Sequence, residues 1–190
     1  MAMNPEELKN LTHYSHQRLK TIHSRPQPDK TSEGSYRSPY DKPKGLWVSN
    51  ESDHGWKDWC VGEQWELRPN SFNWRNDILL KPDASVLILE DSVDVVRFSR
   101  EWGKADHKYR DSIYIDWKGV ASEWQGIIIP NYLWNDRLHH QWYYPWDCAS
   151  GCIWDADAIK SITSWRLHGD YPIQSRYIRP ERQDDCGVSK

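Results

Sequence analysis

The sequence has no apolar run of 18 residues, which a membrane-spanning helix would need. Its first seven residues have neither the basic start nor the apolar stretch of a secretion signal, so we expect a cytoplasmic protein without membrane attachment. Positive charge is not in excess either. The net charge of −3 argues against a strongly basic nucleic-acid-binding protein, although a local basic patch would suffice for a nucleic-acid substrate.

Cysteine is scarce, and the sequence signatures of common cofactor sites are missing. The four cysteines are Cys60, Cys148, Cys152 and Cys186. Without an export signal we expect them to be free thiols. Cys148 and Cys152, with His139 and His140 nearby, are spaced more widely than a zinc-binding pair, and no second cysteine pair exists. No local signature supports a cysteine nucleophile at Cys60 or Cys148.

The chain has neither a Walker-type loop nor a dinucleotide fingerprint, so any dinucleotide would bind without a Rossmann domain.

The aromatic composition is unusual, because phenylalanine and methionine are almost replaced by tryptophan and tyrosine. Thirteen Trp and ten Tyr stand beside two Phe and two Met. We expect most of the Trp side chains in the core. The others are suited to line a binding surface, because flat rings stack on sugars, bases and nicotinamide.

The pattern of apolar residues predicts an α+β fold in a single domain over residues 1–190. It indicates strands at residues 11–15, 45–49, 74–81, 85–90, 126–129, 151–154 and 159–167, and helices at residues 55–65, 91–103 and 115–124. A short helical turn is predicted at residues 4–10, an irregular aromatic segment at residues 131–151 and a polar tail at residues 169–190. The strands do not alternate strictly with helices, so we expect mostly antiparallel sheets.

The long polar segment 16–44 contains no predicted helix or strand. Its prolines, Pro26, Pro28, Pro39 and Pro43, interrupt regular structure. A loop of this length within one domain is usually functional or mobile. We therefore interpret the segment as an active-site flap.

Two short strands and one helix carry the most informative motifs. The strand Leu11–Ser15 has His13 at its centre, and the second strand reads Gly45-Leu46-Trp47-Val48-Ser49. Trp56 and Trp59 lie on one face of the following helix, together with Cys60. We expect Ser52, Asp53 or His54 to cap this helix.

These motifs resemble the nicotinamide-binding half of ADP-ribosyltransferases of the diphtheria-toxin and poly(ADP-ribose) polymerase type. The resemblance implies two small sheets that form a cleft for NAD, the co-substrate. It implies that His13 holds the ribose of NAD and that Trp47 and a helix aromatic, Trp59 or Trp56, enclose the nicotinamide. Other residues placed in the site by the same motifs are Tyr14, Ser15 and Ser49.

The chain departs from the family in two ways. Trp47 and Trp59 stand where the family usually has Tyr, and Tyr14 stands where the polymerases have Gly. Several segments also resemble toxin-like bacterial and phage members of the superfamily. The resemblance therefore implies transfer of ADP-ribose to a macromolecule (protein, RNA or DNA), a role as a toxin in a toxin–antitoxin or phage-defence setting, and an antitoxin partner.

The chemistry requires a carboxylate near the ribose. Cleavage of the nicotinamide–ribose bond develops positive charge on the sugar ring, as glycoside hydrolysis does, and a carboxylate stabilises that charge. Glu123, just before the strand at residues 126–129, is the first candidate for the catalytic acid. Gln125 is suited to bind the ribose. Asp147 is the second candidate for the acid and Asp116 the third.

Two other function classes are compatible with parts of the sequence. A carbohydrate- or nucleotide-binding module without catalysis explains the abundance of Trp, but not the order of His13 and the Gly45–Ser49 motif. A nuclease would use acids and histidines, but the sequence has no cluster of acids with metal-binding spacing.

Overall fold

The structure is a computed structural model that describes residues 11–32, 37–50, 54–63, 72–105, 112–167 and 181–182. The strands are β1 Leu11–Ser15, β2 Leu46–Asn50, β3 Trp74–Leu80, β4 Val86–Ile88, β5 Gly103–Ala105, β6 Ile113–Ile115, β7 Gly126–Ile129, β8 Ser150–Ile153, β9 Ile159–Arg166 and β10 Glu181–Arg182. The helices are α1 Trp56–Gly62, α2 Ser92–Trp102, α3 Trp117–Glu123 and α4 Trp134–His139. The predicted turn at residues 4–10 and nearly all of the tail at residues 169–190 lie outside the described residues.

The architecture is α+β, as predicted. One sheet has eight strands in the order β10-β9-β3-β1-β2-β8-β7-β4, and β5 pairs with β6 in a second sheet. Among the strand pairs in the described part of the large sheet, only β4 with β7 is parallel. The expectation of two small sheets is therefore corrected: one sheet holds most of the strands, and the other is a two-stranded pair. None of the helices in the described part of the chain is long and apolar enough to cross a bilayer.

The large sheet is joined weakly at its centre. The strands β1 and β2 share only two residue pairs, Leu11 with Asn50 and Thr12 with Ser49. By contrast, β1 pairs with β3 over five residues and β2 pairs with β8 over four. Beyond the Thr12–Ser49 pair the ladder between β1 and β2 stops, and we call this opening the β1–β2 split. It divides the sheet into one half that ends in β1 and another that begins with β2.

Hydrophobic side chains cover both faces of the second half. All residues of β7 and β8 are buried. Because side chains alternate along a strand, Ile127 and Ile129 pack in one cluster with the helices α2 and α3, while Ile128 packs in a second cluster with Leu11 and Val48. This two-sided burial makes the β2-β8-β7 part of the sheet a rigid support for whatever β2 presents at the split.

Several boundaries differ from the sequence-based expectation; for example, the helix predicted at residues 115–124 begins only at Trp117, because Ile115 belongs to β6. The strand β4 has three residues instead of the predicted six at 85–90, and α4 forms inside the segment 131–151 that was expected to be irregular. Gly55, rather than His54, occupies the N-cap position of α1, and no side chain of its own caps the helix. His54 adopts a left-handed conformation with a φ angle of 72° just before it. The other two expected caps, Ser52 and Asp53, lie outside the described residues.

The described part of segment 16–44 has no helix or strand, and it is tied to the body of the protein. Arg25 donates its backbone N–H to the carbonyl of Trp154. Asp29 forms a 2.8 Å ion pair with Lys118, and Trp117 donates its Nε1–H to the carbonyl of Asp41. Within the segment, the buried side chain of Gln27 makes two hydrogen bonds, of 2.6 and 2.8 Å, with the backbone of Lys44. These contacts hold parts of the segment beside α3 and the end of β8, and its role as a flap remains a prediction.

Candidate functional site

A cavity of about 320 Å³ lies at the β1–β2 split. It is lined by residues from β1, β2, α1, β8 and the two segments that precede β2 and β8. These residues are Thr12, His13, Tyr14, Lys42, Trp47, Val48, Ser49, Trp56, Asp147, Cys148 and Ser150. The cavity therefore brings together His13 of β1 and Trp47 of β2, which are far apart in sequence. It also contains one carboxylate, that of Asp147, and one amine, that of Lys42.

The imidazole of His13 bridges the split. Its Nδ1 atom lies 2.8 Å from the backbone carbonyl oxygen of Trp47. A carbonyl oxygen only accepts hydrogen bonds, so Nδ1 carries the proton and Nε2 of the neutral ring is an acceptor. Burial lowers the pKa of His13, and the hydrogen bond to Trp47 opposes this shift in part. The neutral form, with a hydrogen-bond acceptor at the cavity, is thus the favoured state of this residue near neutral pH.

A buried asparagine on β3 holds the backbone of His13 from the other side. Asn76 is fully buried, and its Nδ2 atom donates to the carbonyl of His13 at 2.9 Å and to Ser15 Oγ at 3.0 Å. Its Oδ1 atom accepts from Ser164 Oγ at 2.8 Å and from the backbone N–H of Leu19 at 3.4 Å. The amide therefore ties the end of β1 to β9 and to the segment that follows β1.

Ser49 connects the end of β2 to the start of α1. Its Oγ atom accepts the backbone N–H of Trp56 at 2.7 Å and donates to the carbonyl of Asn50 at 3.0 Å. The N–H of Trp56 is one of the donors at a helix start that no helical carbonyl can satisfy. Ser49 therefore acts as a capping side chain for α1 from the end of β2.

Several aromatic rings border the cavity. The ring of Trp47 packs edge-on against the buried Trp146, with centroids 4.9 Å apart. The ring of Trp56 stacks on Trp59, with centroids 5.2 Å apart and planes inclined by 16°. Trp56 lines the cavity and Trp59 supports it from behind, so the helix aromatic that faces the site is Trp56. Tyr14 also lines the cavity and packs edge-on against Phe72.

One amine and one carboxylate complete the cavity. The Nζ atom of Lys42 lies 4.9 Å from the centre of the Trp47 ring, which is a cation–π contact. Burial of the ammonium group lowers the pKa of Lys42, and the nearby carboxylate of Asp147 opposes that shift. Asp147 also accepts a 3.3 Å hydrogen bond from Arg137. This hydrogen bond orients the carboxylate at the cavity.

The two residues predicted around the strand β7 are not brought to the cavity. Glu123 is the exposed last residue of α3, and Gln125 donates to Asp155 and accepts the backbone N–H of Ser85. Through β8, Gly126 aligns with Leu46, so Glu123 lies beyond that end of β2, while the cavity is lined from Trp47 to Ser49. Of the candidates for the acid, the structure brings Asp147 to the cavity and leaves Glu123 away from it, and the identity of the acid stays a prediction.

Two further candidates have structural roles. The carboxylate of Asp116 accepts the backbone N–H of Gly119 and so caps α3. Ser15 lies at the end of β1, where its hydroxyl donates to the carbonyl of Gln17 and accepts from Asn76. Neither of them lines the cavity.

The described cysteines are buried free thiols. Burial raises the pKa of Cys148 to about 11 and raises the pKa of Cys152 further. A thiol with such a pKa is not a reactive nucleophile near neutral pH. In the part of the chain that the structure describes, no group of three or more His, Cys, Asp or Glu residues is arranged to hold a metal ion.

Sequence reasoning missed Asn76, Lys42 and Arg137. For Asn76 a signal existed, because it occupies the same alternating positions as the buried Ile78 and Leu80 of β3. A polar amide at a core position of a strand indicates a specific buried hydrogen-bonding role. Lys42 and Arg137 gave no such signal, because their positions depend on how the segment before β2 and the helix α4 pack in the folded chain.

Comparisons of the chain with known protein families, with curated proteins and with solved structures found no match.

Proposed function

We propose that this protein is an ADP-ribosyltransferase that cleaves the nicotinamide–ribose bond of NAD and transfers ADP-ribose to a macromolecule. The observation that carries the proposal is the bond from His13 to the carbonyl of Trp47 across the β1–β2 split. The imidazole of His13, the ring of Trp47 and the carboxylate of Asp147 line one cavity beside this bond. These are the three components that the reaction needs.

His13 positions the ribose of NAD. Its Nε2 atom has no proton, so it accepts a hydrogen bond from a ribose hydroxyl. The bond to Trp47 fixes both the tautomer and the orientation of the ring, and Asn76 fixes the backbone that carries it. An acceptor held in this way costs little reorganisation when the substrate binds.

Asp147 stabilises the transition state. As the glycosidic bond to nicotinamide breaks, its electron pair goes to the nicotinamide, which leaves as a neutral molecule, and positive charge develops on the ribose. The Asp147 carboxylate lies at the cavity, where it interacts favourably with that charge. The acceptor then forms a bond to the same carbon and releases a proton, so that the products are ADP-ribosylated acceptor, nicotinamide and one proton.

The rings of Trp47 and Trp56 suit the nicotinamide. In NAD this ring carries a positive charge, and a cation already lies over the Trp47 ring in the form of Lys42. Lys42 must therefore leave this face when NAD binds. After cleavage the nicotinamide is neutral and loses the attraction, which favours its release.

The size of the cavity fits the reacting end of NAD. Ligand pockets commonly have volumes of about 300–1,000 Å³, and the cavity, at about 320 Å³, lies at the small end of that range. It suits nicotinamide and its ribose, with the remainder of the dinucleotide outside.

The packing of the Trp side chains weakens the alternative of a binding module. Of the described Trp residues only Trp134 is more than half exposed, and four are buried in the main core, namely Trp117, Trp142, Trp146 and Trp154. The unusual composition is thus explained largely by packing, and a surface of exposed Trp platforms is not required to account for it.

Incubation of the purified protein with NAD tests the proposal. We expect release of nicotinamide and transfer of labelled ADP-ribose to a component of cell extract. Treatment of the extract with nuclease or with protease should remove the labelled product. The matched variants are His13→Ala, at the cavity, and His23→Ala, in the exposed part of segment 16–44. If the folded wild-type protein releases no nicotinamide with or without extract, the proposal is wrong.

A further inference from the structure

A second depression in the structure has a different character from the cavity. It has a volume of about 540 Å³ and lies between the residues that follow β1 and the strand β9. Three cationic side chains line it, Arg18, Lys20 and Lys160. We call this depression the basic groove.

The charge of the basic groove is of one sign. All three cations are exposed, and no acidic side chain is among the residues that line it. Two acids flank the lining residue Ala156, and neither lines the groove: the carboxylate of Asp155 is bonded to Gln125 and Ser24, and Asp157 is exposed. Because the whole chain has a net charge of −3, this local excess of cations is a property of the groove. It is complementary to a polyanion.

The floor of the basic groove is apolar. Leu19, Ile159 and Ile162 are half-buried and pack on the second hydrophobic cluster, leaving part of each side chain accessible in the groove. A free phosphate would use the cations but not this floor. A polymer with phosphates along one side and flat apolar groups along the other would use both. Single-stranded nucleic acid has this character, whereas a duplex stacks its bases away from a protein surface.

The basic groove lies close to the cavity, with a direct connection between their walls. Ser164, in the groove, donates to Asn76, and Asn76 donates to the carbonyl of His13, which lines the cavity. The strand β9 is separated from β1 only by β3. The floor of the groove packs on the second hydrophobic cluster and Trp47 of the cavity packs on the first, so the two sites face opposite sides of the sheet, roughly 10 Å apart across two strand spacings. Arg18 follows closely after the end of β1, where the β1–β2 split opens, so a bound strand that passes around this end can present a nucleotide to the cavity.

We infer that the basic groove binds the acceptor and that the acceptor is single-stranded nucleic acid. This inference rests on the proposed ADP-ribosyltransferase function. Arg18, Lys20 and Lys160 contact phosphates, and the apolar floor contacts bases or sugars. A hydroxyl or amine of the bound strand forms the new bond to the ribose, nicotinamide leaves with the electron pair of the old bond, and the acceptor loses its proton.

Binding of a fluorescent single strand tests the inference directly. The probe is a mixed-sequence oligonucleotide of about 12 nucleotides, and its anisotropy is followed without NAD. We expect the double variant Lys20→Glu/Lys160→Glu to bind at least about tenfold more weakly and to show a smaller salt dependence, by about 0.7 in the logarithmic slope for each phosphate that the variant no longer neutralises. A matched charge reversal, Arg100→Glu/Lys104→Glu, changes two exposed cations outside the groove and should bind as the wild type does.

A second measurement separates the groove from the co-substrate. With water as the acceptor, the groove variant should release nicotinamide from NAD with the kcat and KM of the wild type. With the oligonucleotide as the acceptor, its transfer rate should fall together with its affinity. Thermal unfolding shows whether both double variants are folded.

Three outcomes would overturn the inference. The first is a groove variant that binds the single strand as tightly as the wild type, or a wild type that binds none. The second is a raised KM for NAD with unchanged oligonucleotide binding, which would assign the groove to the diphosphate of NAD. The third is labelling of extract that protease abolishes and nuclease does not. If the wild type binds the strand through the groove but releases no nicotinamide, the proposed function fails while nucleic-acid binding by the groove stands.

Discussion

The Nδ1 atom of His13 lies 2.8 Å from the carbonyl oxygen of Trp47, at the place where the strands β1 and β2 no longer pair. A side chain of one strand thus satisfies a backbone acceptor that the ladder leaves open. The same contact fixes the tautomer of the imidazole. Structure and proposed chemistry therefore depend on the same hydrogen bond.

Replacement of His13 should abolish most activity with a moderate effect on stability. We expect His13→Ala to lower the rate of nicotinamide release by at least about 100-fold, because the ribose loses a positioned acceptor. The free energy of unfolding should fall by about 1 kcal/mol for the lost hydrogen bond. His23→Ala, in the exposed segment, should leave both quantities unchanged. Equal activity of the two variants would exclude His13 from the reaction.

The catalytic carboxylate can be assigned by two isosteric changes. Asp147→Asn should lower kcat by about 100-fold or more, because a neutral amide does not stabilise the positive charge on the ribose. Glu123→Gln should have wild-type kinetics, because Glu123 is exposed and away from the cavity. Because Asp147→Asn also removes the ion pair with Arg137, thermal unfolding of both variants is the control for a loss of stability. The reverse ranking of the two variants would return the role to Glu123.

Acidification should weaken the fold through its buried histidines. Burial lowers the pKa of His13 and of His140 below the ordinary value of 6.5. The unfolded chain therefore binds protons at a higher pH than the folded chain does, and stability falls as the pH decreases through 6.5 toward the folded-state pKa values. The slope is at most about 1.4 kcal/mol per pH unit for each histidine.

Denaturant titrations between neutral pH and the acidic side of this window measure that slope. His13→Gln and His140→Gln should each reduce it, and the exposed His23→Gln should not. The rate of nicotinamide release should also fall as the pH decreases, because protonation of His13 removes the hydrogen-bond acceptor at Nε2. An activity that rises as the pH falls below 6.5 would contradict the assigned tautomer.

Asn76 should be among the polar residues whose loss destabilises the protein most. Asn76→Ala removes hydrogen bonds to His13, Ser15 and Ser164 in a fully buried place, and we expect a loss of about 3 kcal/mol in the free energy of unfolding. The exposed Asn135→Ala is the matched control and should lose little. In the remaining folded protein, KM for NAD should rise, since the backbone of His13 is no longer held. Unchanged KM would reduce Asn76 to a purely structural residue.

The local elements of the fold were predictable from the sequence because they depend on local patterns. Alternation predicts β1, β3 and β9, and the apolar run Gly126–Ile129 predicts β7. The helix predicted at residues 91–103 forms as α2, and the side chain of Asp91 caps it by accepting the N–H groups of Val93 and Asp94. Six of the proposed site residues also line the cavity, namely His13, Tyr14, Trp47, Ser49, Trp56 and Asp147.

The sequence by itself thus determined the α+β class, most of the strands and the two motifs that carry His13 and Trp47, because spacing along a chain fixes which side chains share a strand or a helix face. Only the tertiary structure decided how the sheet is joined. It showed that β1 and β2 separate after two residue pairs and that Asp147, rather than Glu123, reaches the opening. The reason is physical: strand order and loop direction depend on contacts between residues distant in sequence, and no local pattern records them.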